Sequence, residues 1–73
     1  MNNNQKHIKK LKKEFLNFIS KNNVVTTSEI ASKFNLSWNT VEKYLLELTI
    51  DKKVERIKKS RTNLWMLKKI TKI

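Results

Sequence analysis

The sequence predicts a mainly α-helical domain of three helices, closed by a small antiparallel β-hairpin. Three observations predict it. Apolar residues recur at three- and four-residue steps from Lys6 to about Lys21, and again in two stretches that end near Ile50. Polar breaks at Asn22-Asn23 and at Asn35 separate those stretches. Two β-rich segments, V-E-R-I-K and L-W-M-L, then flank a polar, cationic stretch.

Taken in order, residues 1–5 are expected to be disordered, residues 6–67 to form the domain and residues 68–73 a tail too short to classify. The first helix carries Ile8, Leu11, Phe15, Phe18 and Ile19 on one stripe, with Lys6, Lys9, Lys10 and Lys13 opposite. Asn22 and Asn23 are stop signals, because asparagine tolerates the left-handed C-cap in place of glycine. Val24-Val25 is a short β-prone step. Thr26-Thr27-Ser28-Glu29 fits a capping box, with Thr26 as N-cap and Glu29 reaching back to it. The second helix runs to about Phe34 and buries Ile30, Ala31 and Phe34. Asn35-Leu36 makes a turn, and Ser37 is a good N-cap for a third helix that buries Val41, Leu45, Leu48 and part of Tyr44. In the hairpin, Trp65 and Leu67 alternate onto one face. The connection lacks the Asn-Gly signal of a two-residue turn, so a longer loop is expected, with Asn63 as its left-handed residue.

The segment T-S-E-I-A-S-K-F-N-L-S-W-N-T-V-E-K (residues 27–43) has the spacing of a helix-turn-helix. Ala31 is small where two helices cross, Asn35 can take the left-handed backbone of a tight turn, and Val41 returns an apolar side chain to the same contact. With E-I-A-S-K-F-N-L-S-W-N-T-V-E-K-Y-L-L-E-L followed by V-E-R-I and L-W-M-L, the chain resembles the winged helix-turn-helix family from Lys6 to Leu67. The resemblance implies a three-helix core with a small sheet. It further implies a third helix (about residues 37–50) in the major groove of DNA and a wing (about residues 57–64) along the adjacent backbone. The family often has glycine at the turn and again where the third helix gives way to the first wing strand. Here Asn35 and Lys52 hold those places.

A helical wheel with Val41, Leu45 and Leu48 inward points Asn39 and Lys43 outward, with Thr40 beside them and Trp38 in the accessible first turn. The N-terminal residues of a helix in the major groove reach the bases. Asparagine can pair bidentately with adenine, lysine can donate to guanine or phosphate, and threonine or tryptophan can touch a thymine methyl. The helix start at Ser37 also offers free N–H groups and a positive dipole end to phosphate. In the wing, Lys58, Lys59 and Arg61 suit the phosphate backbone or, for the arginine, the minor groove. Each has a plainer reading: Asn39 as a solvated residue, Trp38 packed on Leu36 or the wing, the wing cations as a solubilising loop. The first-helix lysines read as a solvated face before a DNA footprint, and Leu16 and the Ile70–Ile73 tail as edges for a partner. Leu46 is an exposed leucine that a wing or a second subunit could cover.

Cations outnumber acids 17 to 6, for a formal net charge of +11, which concentrates polyanions near the surface without naming them. Fifteen of the 17 cations are lysine and there is no glycine or proline, a skew an A/T-rich genome also produces. Placement therefore says more than number. At 73 residues the chain is one small domain that cannot enclose a deep substrate cavity and still fold, so a binding module is expected over an enzyme. His7 is the lone histidine, there is no cysteine, and Glu14, Glu29, Glu42, Glu47, Asp51 and Glu55 form no motif. No catalytic residue, metal site or cofactor is expected. No apolar run approaches the ~20 residues of a membrane span, and M-N-N-N-Q-K-H lacks a signal-peptide core. The expectation is a cytoplasmic protein (in host cytoplasm if virus-encoded) that binds double-stranded DNA as a transcriptional regulator, by repression in the simplest case, with a homodimer matching palindromic sites. The rival expectation is a winged-helix protein-interaction module in a larger assembly.

Overall fold

A computed structural model of the chain describes residues 3–68. The order is α1 (Asn3–Asn22), β1 (Val25–Thr26), α2 (Thr27–Phe34), α3 (Trp38–Ile50), β2 (Val54–Lys59) and β3 (Thr62–Leu67). This is the winged-helix arrangement: three helices and an antiparallel sheet in the order β1-β3-β2. α1 begins at Asn3, three residues ahead of the stripe that starts at Lys6. Extending an existing helix adds one hydrogen bond per residue fixed, which offsets the weak propensity of asparagine there.

Each element contributes at least one side chain to a single core. Phe15 and Ile19 come from α1, Val25 from β1, Ile30 from α2, Val41, Leu45 and Leu48 from α3, Val54 from β2 and Trp65 from β3, all buried. Phe18 and Phe34 pack edge to face with ring centroids 6.0 Å apart, and Phe34 lies 5.1 Å from Phe15. Ala31, Leu36, Tyr44, Leu67 and Leu16 are half-buried against this cluster. Ile70 and Ile73 lie outside the described residues.

The helix ends are fixed by local bonding. Thr26 Oγ1 accepts from Glu29 N (3.1 Å) and Glu29 Oε1 accepts from Thr26 N (2.8 Å), closing the predicted box. α2 leaves through Asn35 at φ 55°, with Leu36 N–H donating to Ala31 O (3.0 Å). That bond, with a hydrophobic residue landing back on the helix, is a Schellman exit. α3 leaves the same way: Lys52 takes φ 63° and Lys53 N–H donates to Leu48 O (2.9 Å). Asn35 and Lys52 thus take the left-handed conformation at the two places where the resemblance leads one to expect glycine. Asn23, at φ 70°, serves α1.

The hairpin differs from expectation. Lys59 pairs with Thr62, leaving a two-residue turn of Ser60 and Arg61, and Asn63 lies within β3 opposite Lys58. Ser60, at φ 57°, is the left-handed residue in place of Asn63. A two-residue connection matches the twist of the strands only with positive φ at the turn, and the six-residue register imposes that on serine. Among the described residues, no helix is long and apolar enough to cross a membrane.

Candidate nucleic-acid interface

α3 enters through Ser37, in extended backbone at φ −69° and ψ 153°. Its Oγ accepts from Thr40 N (3.2 Å) and donates to Thr40 Oγ1 (2.8 Å). Two predicted contact residues thus hold one another, and Thr40 is half-buried while retaining its own hydroxyl proton. No acid lies in the first turn of α3, so its positive dipole end has no internal counter-charge. Trp38 in that turn is 50% exposed and Asn39 is exposed. At 100° per residue, Asn39, Lys43, Leu46 and Ile50 form one outward stripe opposite the buried Val41, Leu45 and Leu48. The stripe is polar in its first half and apolar in its second. Lys43 Nζ lies 6.0 Å from the Tyr44 ring centroid, at the outer limit of a cation–π contact, so the ammonium stays available.

Lys58, Lys59 and Arg61 are all exposed, but strand parity divides them. Paired residues of an antiparallel ladder share a face, and successive residues alternate. Lys58 pairs with Asn63 and so shares the face of Trp65, which is buried against the helices; Lys59 pairs with Thr62 on the other face. Arg61 is at the tip. Of the hairpin cations, Lys58 and Arg56, which pairs with Trp65, are on the face of the sheet that carries the helices, and Lys58 is the nearer to the tip. The outer face instead bears Ile57, Leu64 and Met66.

A feature absent from the sequence reading links these two parts. Trp65 Nε1 donates to Thr27 Oγ1 (2.8 Å), Thr27 Oγ1 donates to Glu42 Oε2 (3.0 Å), and Asn63 Nδ2 donates to the same Glu42 oxygen (2.9 Å). Thr27 is 2% exposed and Trp65 fully buried, so the chain satisfies an indole and a hydroxyl that would otherwise be costly to bury. In the sequence Glu42 is one of six scattered acids that form no motif. Its spacing from Thr27, Asn63 and Trp65 follows no period that would say what it binds.

Lys9, Lys10, Lys12, Lys13 and Lys53 line an open groove with Leu16, Leu48 and Asp51, at the C-terminal end of α3, away from Ser37. Lys12 pairs with Glu47 at 2.6 Å. These lysines are therefore separate from the Ser37 entry. His7 is exposed on α1, and among the described residues no three His, Cys, Asp or Glu side chains gather as a metal site would need.

The family model for FaeA-like protein matches residues 11–69. The chain belongs to the FaeA-like family. That family is of the winged-helix regulator type, and the match spans the interval from the middle of α1 through β3. It takes in every element of the FaeA-like chain that forms the candidate interface. No curated protein and no solved structure matches the sequence.

Proposed function

We propose that this FaeA-like protein binds double-stranded DNA as a regulator of transcription, with α3 in the major groove and the wing along the adjacent backbone or minor groove. The observation that supports it most is the first half of the α3 stripe: Asn39 and Lys43 are exposed one turn apart, behind a helix start that has no acid of its own. Asn39 is the base reader, with Thr40 and Trp38 available to a thymine methyl. Lys43, the Ser37 end of α3, Lys58, Lys59 and Arg61 supply the phosphate contacts. The protein acts by binding, without catalysis or cofactor, in the cytoplasm. Repression by occupying a site against polymerase needs nothing beyond these contacts. Two copies per site would extend the footprint of a small module and match a palindrome.

A salt titration of duplex affinity tests the reading. With about five phosphates engaged, log affinity falls against log salt with a slope near −4 to −5. Absence of duplex binding at low salt overturns it. A second reading, a protein-interaction module, is favoured by the other half of the same stripe, where Leu46 is 39% and Ile50 77% exposed. On that reading Leu46→Ser or Ile50→Ser removes partner binding while duplex affinity is unchanged.

A further inference from the structure

We propose that Glu42 is a positioning residue that fixes the wing against α3, so that helix and wing meet DNA as one rigid body. The inference builds on the DNA reading above. Beyond Asn63, every residue of the hairpin tip from Lys58 to Thr62 is exposed. An isolated two-stranded hairpin is marginal in water, so the tip depends on where its base is held. On the helix-facing side that base is held by buried Val54 and Trp65, with Leu67 packed against them, and, one step nearer the tip than Trp65, by Asn63 bonded to Glu42. Asn63 is the cross-strand partner of Lys58, so the bond that places Asn63 also places the helix-side cation nearest the wing tip.

The chemistry suits a carboxylate used as a joint. Both donors land on Oε2, one from α2 through Thr27 and one from β3 through Asn63, so a single oxygen on α3 ties three elements. Ionised acceptors make stronger hydrogen bonds than neutral ones. The price is a negative charge near a surface meant for phosphate. A residue placed only for electrostatics would not be acidic there, whereas a residue placed for geometry can be.

Glu42→Ala and Glu42→Gln remove the same charge and differ in whether an oxygen remains to accept. Glutamine can present its carbonyl where Oε2 lies. Backbone order of residues 58–62 is measured by 15N relaxation in the free protein, and duplex affinity is titrated against salt for each variant. Glu42→Ala is expected to loosen residues 58–62 and to flatten the salt slope by ~2 as the wing cations drop out of register. Glu42→Gln is expected to keep both near the parent values. Asn63→Ala, which changes no charge and leaves the Thr27 bond in place, is expected to match Glu42→Ala and carries the test if loss of the Thr27 contact unfolds that variant. Equal behaviour of Glu42→Ala and Glu42→Gln, or an Asn63→Ala wing as ordered as the parent, overturns the proposal. Wing order is read without DNA, so failure of duplex binding by the parent protein sinks the DNA reading and leaves the joint to be judged on relaxation alone.

Discussion

The two helix entries of the helix-turn-helix start from similar local patterns and are finished differently. α2 opens T-T-S-E and α3 opens S-W-N-T. In α2 the fourth residue is Glu29, whose carboxylate returns to the cap and leaves a negative charge on the positive end of the helix. In α3 the same position is Thr40, which bonds the Ser37 hydroxyl and brings no charge. One entry is electrically complete and the other is open. An open entry sacrifices a few tenths of a kcal/mol that an acid would give, and the residues around it, Asn39 and Lys43, are those expected at the bases and phosphates.

Thr40→Glu is the sharpest way to break this contrast, because it completes the α3 entry as α2 is completed. Thermal stability is expected to hold or rise by a few degrees, while duplex affinity at low salt falls by about tenfold or more as a carboxylate meets phosphate. Retained affinity would mean that the open entry has no part in binding. Next in size, Thr26→Ala removes the cap of the complete box and is expected to cost about 1 kcal/mol, or roughly 4–8 °C in melting temperature. Ser37→Ala, losing the Thr40 N–H contact and an exposed hydroxyl bond to Thr40 Oγ1, is expected to cost less, about 0.5 kcal/mol. Equal losses in a thermal melt would show that the two caps are worth the same, since Thr26→Ala leaves the backbone N–H bond to Glu29 in place. The exits give the smallest effect: Lys52→Gly is expected to stabilise by about 0.5–1 kcal/mol and Asn35→Gly by only a few tenths, since asparagine tolerates φ > 0 better than lysine. A calorimetric scan of the two variants ranks them directly.

Features set by neighbours in sequence were legible in it. The Thr26–Glu29 box, the left-handed Asn35 and the cap at Ser37 each follow from one residue type at one spacing, and the stripes of α1 and α3 follow from period. The two-residue turn was not legible, because Ser60 has no intrinsic preference for φ 57°; pairing of two six-residue strands forces it, and pairing is a long-range term. Asn63 was misplaced for the same reason, its turn propensity outweighed by a register that sets it opposite Lys58. At the candidate interface the residue types of the α3 stripe and the wing could be named, but not the division of Lys58 from Lys59, which needs the register. The Glu42 joint spans residues 27, 42, 63 and 65, separations at which no periodicity reports.

β2 is an edge of the sheet, since the order β1-β3-β2 leaves one side of its six residues unpaired among the described residues. An unpaired edge is a template for another copy of the same strand. Arg56, Lys58 and Lys59 are exposed on this strand, so two copies approaching edge to edge bring like charges together. The barrier that this charge raises against polymerising through the sheet is electrostatic and therefore tunable: added salt, or any polyanion that neutralises the strand, lowers it.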